Sequence, residues 1–362
     1  MLDICIFAGA RPNFIKIAPI VRAIRKAQGE NGAIAYKLVY AGKESDATLE
    51  PSLFDDLEIG RPDCYLGADS VNLNELTGMV MAEFERYLDA NKTDIVIVVD
   101  DLASTMAAAI VTKKRGIKLA HLVAGTRSFD ISMPKEINRL VTDALSDLLF
   151  TAGAGASVIA AREGAEMANV YMVGNILMDT LRFCRDRLRR PAVADSLALA
   201  DRRYILFTLN RHALISDREN LHSMVSAMLR AAGDVPVVAP LRGAAVGVLK
   251  EMTAGFSNFF IIDPLPYLEF GYLSAHALGI VTDSGNVAEE ATFNAVPCIT
   301  LNSYTEHIET VSCGSNVLVG EDAGKLSAAV QDMVAGRWKK CSLPDRWDGR
   351  SAERMIRIIS GL

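Results

Sequence analysis

Gly279-Ile280-Val281-Thr282-Asp283-Ser284-Gly285-Asn286-Val287-Ala288-Glu289-Glu290-Ala291 is the stretch on which the reading of this chain turns. An apolar run stops at Thr-Asp-Ser-Gly-Asn, and a helix-forming run with two adjacent acids follows. That pattern predicts a buried strand, a tight turn and a helix start. The backbone N–H groups of Ser284, Gly285 and Asn286 then stand at the positive end of a helix dipole, where an anion is stabilised. Glu289 and Glu290 lie about one turn further in, where a carboxylate can accept hydrogen bonds from a hydroxylated ligand. Anion plus hydroxyls points to a nucleotide or a nucleotide sugar. The competing reading is a capped structural helix with solvated acids, since strand-to-helix turns are common in α/β proteins.

Working outward, short apolar runs alternate with helix-period segments along the whole chain. Strands are predicted at 4–8, 37–40, 95–99, 119–123, 148–151 and 170–173, with helices between them from about Pro12 and over 76–89 and 104–114. The pattern restarts at 204–208, 235–239, 259–262, 278–282, 298–301 and 316–319. This predicts an α/β chain of two doubly wound, Rossmann-like domains, each a parallel sheet covered by helices. A polar, basic segment, 182–203 with Pro191, separates the series. The expected division is 1–171 and 172–346, with a last helix within 347–362 packing back on the first domain. Ligands of such sheets bind beyond the carboxyl ends of the strands, so the ligand cleft is expected between the domains.

The composition narrows the function. Half of the 362 residues are apolar, enough for two cores, and the net charge of −6 argues against a nucleic-acid binder. No run of eighteen apolar residues suggests a membrane span, and the first residues read as a strand rather than a leader, so a cytoplasmic protein is expected. Cys5, Cys64, Cys184, Cys298, Cys313 and Cys341 are scattered and read as reduced thiols. The five histidines lack ligand spacing, so no metal is expected. Gly153-Ala154-Gly155 opens like a dinucleotide fingerprint, but Val158 stands in the third glycine's place, and 320–325 is too short for a P-loop.

Other strand tips carry chemistry. Gly9-Ala10-Arg11-Pro12 with Lys16 follows the first strand and offers two cations to an anion. Asp100-Asp101 follows 95–99. A carboxylate there can be a general base, hold a hydroxyl or cap the next helix, and capping is the reading these residues favour alone. His121-Leu122-Val123-Ala124-Gly125-Thr126-Arg127 ends another strand. Glu136 and Arg139, three apart, suggest a surface ion pair. Asn210-Arg211-His212 follows 204–208, and Arg211 is a second candidate phosphate contact.

Together these segments resemble the non-hydrolysing UDP-N-acetylglucosamine 2-epimerases, in the same order and at similar spacing from about residue 4 to 320. The anchors are 9–16, 101–107, 121–127, 129–147, Gly174-Asn175, 263–268 and 282–290, and the specific signal is the co-occurrence of the 9–16 and 282–290 segments with Met-Pro-x-Glu-Ile-Asn-Arg at 133–139. The resemblance implies a fold of the glycosyltransferase-B type, often dimeric, with UDP held mainly by the second domain. It implies inversion at C2 of a UDP-N-acetylhexosamine by elimination and re-addition of UDP, for polysaccharide biosynthesis, with no cofactor. By position, Asp101 and Glu136 are the implied catalytic acids. Arg11, Lys16, Arg139, Asn210, Arg211, Ser284, Gly285, Asn286, Glu290 and His307 are the implied substrate-binding residues.

The departures are specific. Where the family writes His-x-Glu-Ala-Gly, Pro-Glu-Glu and Gly-His-Arg, this chain has Val123, Pro134-Lys135-Glu136 and Leu209-Asn210-Arg211. His307 stands where a late arginine helps hold the diphosphate, and Lys43-Glu44 replace a Gln-His pair linked to regulation. Val transfers no proton and Lys inverts the local charge. Two alternatives follow: a nucleotide-sugar-binding protein without turnover, or glycosyl transfer or hydrolysis on the same fold.

Overall fold

The computed structural model describes residues 1–31 and 34–361. Two compact units form, one from the described residues of Met1–Phe183 with Asp345–Leu362, the other from Cys184–Pro344. The division thus falls at 183/184, not at the expected 171/172. The reason is local: the 170–173 run adds an edge strand to the first sheet, and the helix after it stays with that sheet.

The first unit carries β1 (Leu2–Ala8), β2 (Ile34–Tyr40), β3 (Cys64–Tyr65), β4 (Ile95–Val99), β5 (Lys118–Leu122), β6 (Leu148–Thr151) and β7 (Val170–Met172) in the order β3-β2-β1-β4-β5-β6-β7. Every pairing is parallel. β4 is wholly buried, which is why its sequence is unbroken Ile-Val-Ile-Val-Val rather than alternating. β3 was not predicted, since two residues carry no period.

Pro19 lies inside the helix Arg11–Asn31 and has no N–H for the carbonyl of Ile15. The Thr180 hydroxyl donates to that carbonyl instead, at 2.7 Å. The C-terminal helix Ser351–Ser360 packs on the same unit, where Asp179 accepts from the Ser351 and Ala352 amides at 3.0 and 2.8 Å. The Trp347 indole donates to the Ala152 carbonyl.

The second unit carries β8 (Ile205–Thr208), β9 (Val237–Pro240), β10 (Phe259–Ile262), β11 (Gly279–Thr282), β12 (Cys298–Thr300) and β13 (Asn316–Leu318), ordered β10-β9-β8-β11-β12-β13 and all parallel. Ile205, Phe207, Val237, Ala239, Val281 and Ile299 line one face in an apolar core. In each sheet the strand order reverses once, between β1 and β4 and between β8 and β11. Those switch points are where open α/β sheets take ligands. Among the described residues no helix is long and apolar enough to cross a membrane.

Candidate active site

The switch point of the first sheet gathers the 9–16 segment and Asp100-Asp101. Neither aspartate caps the next helix, Ala103–Lys114, whose N-cap is Leu102 with no side-chain bond. The capping expectation is therefore corrected. Asp100, at φ +60°, receives Asn13 Nδ2 at 2.9 Å and Lys16 Nζ at 2.6 Å. Lys16 is buried and neutralised within the unit, so it is not the loose cation the sequence suggested. Arg11 is looser, 3.6 Å from the exposed Glu50.

Asp101 is held from the helix Pro134–Leu145: Arg139 pairs with its carboxylate, and Asn138 Nδ2 donates to its carbonyl at 2.8 Å. Its side chain keeps 16% exposure, against 4% for Arg139. Asp101 is thus an anchored carboxylate that still reaches solvent.

Glu136 is different. The pair with Arg139 exists, at 3.1 Å, but both side chains are buried, which corrects the expected surface pair. Its carboxylate also accepts from the Ser128 and Phe129 amides and the Ser128 hydroxyl, each at 2.9 Å. Burial alone would raise this acid, but those donors outweigh it and hold it below the usual carboxylate range. Such a carboxylate ties down a loop and is badly placed to exchange a proton with a ligand. Glu136→Ala is expected to cost about 2–4 kcal/mol in urea unfolding. The same change should speed hydrogen exchange at the Ser128 and Phe129 amides; unchanged protection of both would contradict the latch.

Sequence reading missed Asp143, which organises the next layer. Its carboxylate faces His121 Nδ1 at 2.5 Å, the Gly125 amide at 2.9 Å and Arg127 at 2.7 Å. Burial pushes Asp143 up, but His121, Arg127 and the amide pull it below its ordinary value. His121 Nε2 meets the Asp100 carbonyl at 2.9 Å. Asp143 lies four residues after Arg139, one turn along the same helix, which is the signal that could have found it. Gly125, at φ +73°, has no room for a side chain, since a Cβ would sit 2.1 Å from the Ala156 carbonyl.

Val123 was expected to end a strand. β5 stops at Leu122, and Val123 takes φ +72°, a left-handed conformation that is a real outlier for a β-branched residue. Asn tolerates that conformation, and Val123 is only half-buried. Val123→Asn is expected to raise stability by about 1 kcal/mol. A lower urea midpoint at unchanged slope would show that the strain is absent.

At the switch point of the second sheet the Thr208 and Thr282 hydroxyls join β8 to β11 at 2.6 Å. Asp283 Oδ2 accepts from the Asn210 and Arg211 amides at 2.7 and 2.5 Å, so the acid of Thr-Asp-Ser-Gly shapes the neighbouring tip. The helix Gly285–Phe293 begins at Ser284, whose side chain makes no cap bond; Gly285 and Asn286 are exposed. The Ser284 amide donates to Thr282 Oγ1 at 2.9 Å, which corrects its expected freedom and leaves the Gly285 and Asn286 amides as the candidates for an anion. Asp283 Oδ1 and Arg211 Nε are buried without a hydrogen-bond partner among the described residues, polar atoms suited to a ligand. The rest of Arg211 is tethered to Asn302 Oδ1, the Leu301 carbonyl and Glu321. Asn210 lines a cavity of about 540 Å³ with His212, Arg218 and Arg242.

Glu290 is buried, and burial, reinforced by the adjacent Glu289 carboxylate, pushes its acid up to about 8. His307 Nε2 faces Glu289 Oε1 at 3.4 Å.

Two Rossmann-like sheets, one ending in an anchored carboxylate and the other in an uncapped helix start beside a buried acid, define a nucleotide-sugar α/β protein of the glycosyltransferase-B type. Residues 26–360 match the family described as UDP-N-acetylglucosamine 2-epimerase, and the chain belongs to that family. The UDP-N-acetylglucosamine 2-epimerase of Methanocaldococcus jannaschii is 33% identical over 99% of both chains. The UDP-2,3-diacetamido-2,3-dideoxy-D-glucuronate 2-epimerase of Pseudomonas aeruginosa is 35% identical, covering 92% of this chain and 90% of its own. The M. jannaschii crystal structure in complex with UDP-GlcNAc and UDP superposes with a TM-score of 0.87 over 100% of both chains, at 33% identity.

Proposed function

We propose that this chain inverts C2 of a UDP-N-acetylhexosamine by eliminating UDP and adding it back, with Asp101 as the proton-transfer carboxylate. The observation that carries this reading is the state of Asp101: anchored by Arg139 and Asn138, yet still reaching solvent at the switch point. A C2 proton leaves to the carboxylate, the C1–O bond breaks, and UDP departs as an anion. The first-turn amides of Gly285 and Asn286, with the uncommitted Ser284 side chain, take the diphosphate, and Glu290 takes the ribose hydroxyls. Arg11 offsets the charge that develops on the leaving group. No redox step occurs, so no cofactor is needed.

A second reading has its own support. Inversion removes a proton from one face and returns one to the other, which asks for two groups. Val123, Lys135 and Asn210 carry no carboxylate, and Glu136 is held in its latch. On this reading the chain binds a UDP-sugar without turnover. Proton NMR of UDP-N-acetylglucosamine incubated with the protein separates the two. A manno product supports the epimerase; UDP binding by calorimetry with no product from either epimer supports the binder.

The same proposal makes the protein a cytoplasmic homodimer serving polysaccharide biosynthesis. Leu73 and Met79, exposed on the helix Leu73–Ala90, are apolar surface that a second copy would cover. Sedimentation of Met79→Glu should then shift toward monomer, and a monomeric parent protein would refute the dimer.

A further inference from the structure

Cys313 and Cys341 stand apart from the other four thiols. Cys5, Cys184 and Cys298 are buried, and Cys64 is part-buried in the first sheet, where desolvation raises its thiol. Cys341 is exposed, on an irregular segment after the helix Ala323–Val334, and Cys313 is part-buried just after the short helix Glu309–Ser312. Three bonds hold the two segments together within the second unit. The Trp338 indole donates to the Ser315 carbonyl at 2.9 Å, Lys339 Nζ to the Val311 carbonyl at 2.6 Å, and the Ser342 amide to the Cys313 carbonyl at 2.8 Å.

The last of these bonds sets the backbone at Cys341 beside that at Cys313, whose own amide bonds the Glu309 carbonyl at 3.2 Å. A disulfide spans Cα atoms about 4.4–6.8 Å apart, a spacing open to residues on the two sides of one backbone hydrogen bond. The geometry points to Cys313 and Cys341 as a reversible dithiol–disulfide pair, a thiol-modification site outside the nucleotide-sugar machinery. Lys339 lies by both: burial lowers its amine, and the Cys341 and Cys313 sulfurs oppose that fall.

The step needs an oxidant, and a peroxide supplies it. The Cys341 thiolate attacks one peroxide oxygen, giving the sulfenic acid and hydroxide. The Cys313 sulfur then displaces hydroxide from that sulfenic sulfur, forming the S–S bond. In sum two thiols and one hydrogen peroxide give one disulfide and two waters, with two electrons passing from sulfur to oxygen. The closed loop spans 341 − 313 = 28 positions, long enough for the link to raise the Tm by about 5–10 °C.

The test uses the full chain and hydrogen peroxide. Non-reducing peptide mapping should show a Cys313–Cys341 cross-link, with two thiols lost per chain and both restored by dithiothreitol. Cys341→Ser, an exposed and structurally mild change, should abolish the cross-link and leave the Cys313 thiol free. Oxidised parent protein in which Cys341 alone is modified, or in which Cys341 links two chains, overturns the pair; so does an unchanged thiol count.

Discussion

Asp101→Asn is expected to lower C2 proton exchange by about 10²–10⁴-fold while leaving UDP affinity within about twofold. The substitution keeps the shape of the side chain and removes its charge and basicity. Arg139 keeps its bond to Glu136, and the Asn138 contact to the backbone of residue 101 is untouched, so the site should stay assembled. A merely structural role would show instead as a fall in Tm with exchange preserved per folded molecule. Of the neighbouring acids, Glu136 is held by the 128–129 amides and Asp100 by Lys16 and Asn13.

Glu290→Gln should separate stability from binding. In the folded chain the Glu290 acid titrates near 8, against 4.5 for an unperturbed glutamate. A raised acid holds its proton in the folded state after the unfolded chain has released it. Its contribution is intact below about pH 4.5 and is lost as pH rises to 8, costing about 3 kcal/mol at pH 7. Gln removes that titration, and after its own N–H groups are accommodated a gain of about 1–3 kcal/mol at pH 7–8 is expected, vanishing near pH 4.5. UDP binding should move the other way, weakening about tenfold or more, because ribose hydroxyls donate best to a carboxylate. In the parent protein UDP affinity should climb between pH 6 and 8 as that proton leaves, and in Glu290→Gln it should be flat. A pH-independent parent affinity would place the ribose elsewhere.

Much of the fold was legible in the sequence because buried parallel strands announce themselves. Ile95–Val99, Leu148–Thr151 and Phe259–Ile262 stand where the apolar runs put them. β3 was not legible, since two residues on a sheet edge have no pattern, and the expected boundary cut through the last run of the first series, 170–173, which pairs as β7 and keeps the helix after it in the first unit. At the site, the uncapped turn at Ser284 was legible from the Thr-Asp-Ser-Gly signal. The burial of Lys16 and Glu136 was not. Charge on a strand tip looks the same in sequence whether it faces a ligand or a partner 84 positions away, as Lys16 faces Asp100. The left-handed turn at Val123 was also hidden, because valine is a residue that sequence patterns assign to strands.

On the proposed reading Asp101 moves a proton at C2 although Val123, Lys135 and Asn210 offer no second carboxylate. Incubation of the protein with UDP-N-acetylglucosamine in deuterium oxide reads that directly. Deuterium entering C2 of the sugar, and lost with Asp101→Asn, is the expected result. UDP-sugar that binds yet returns with C2 protonated, at enzyme-equivalent concentrations, would contradict it and leave a binding protein on an enzyme's scaffold.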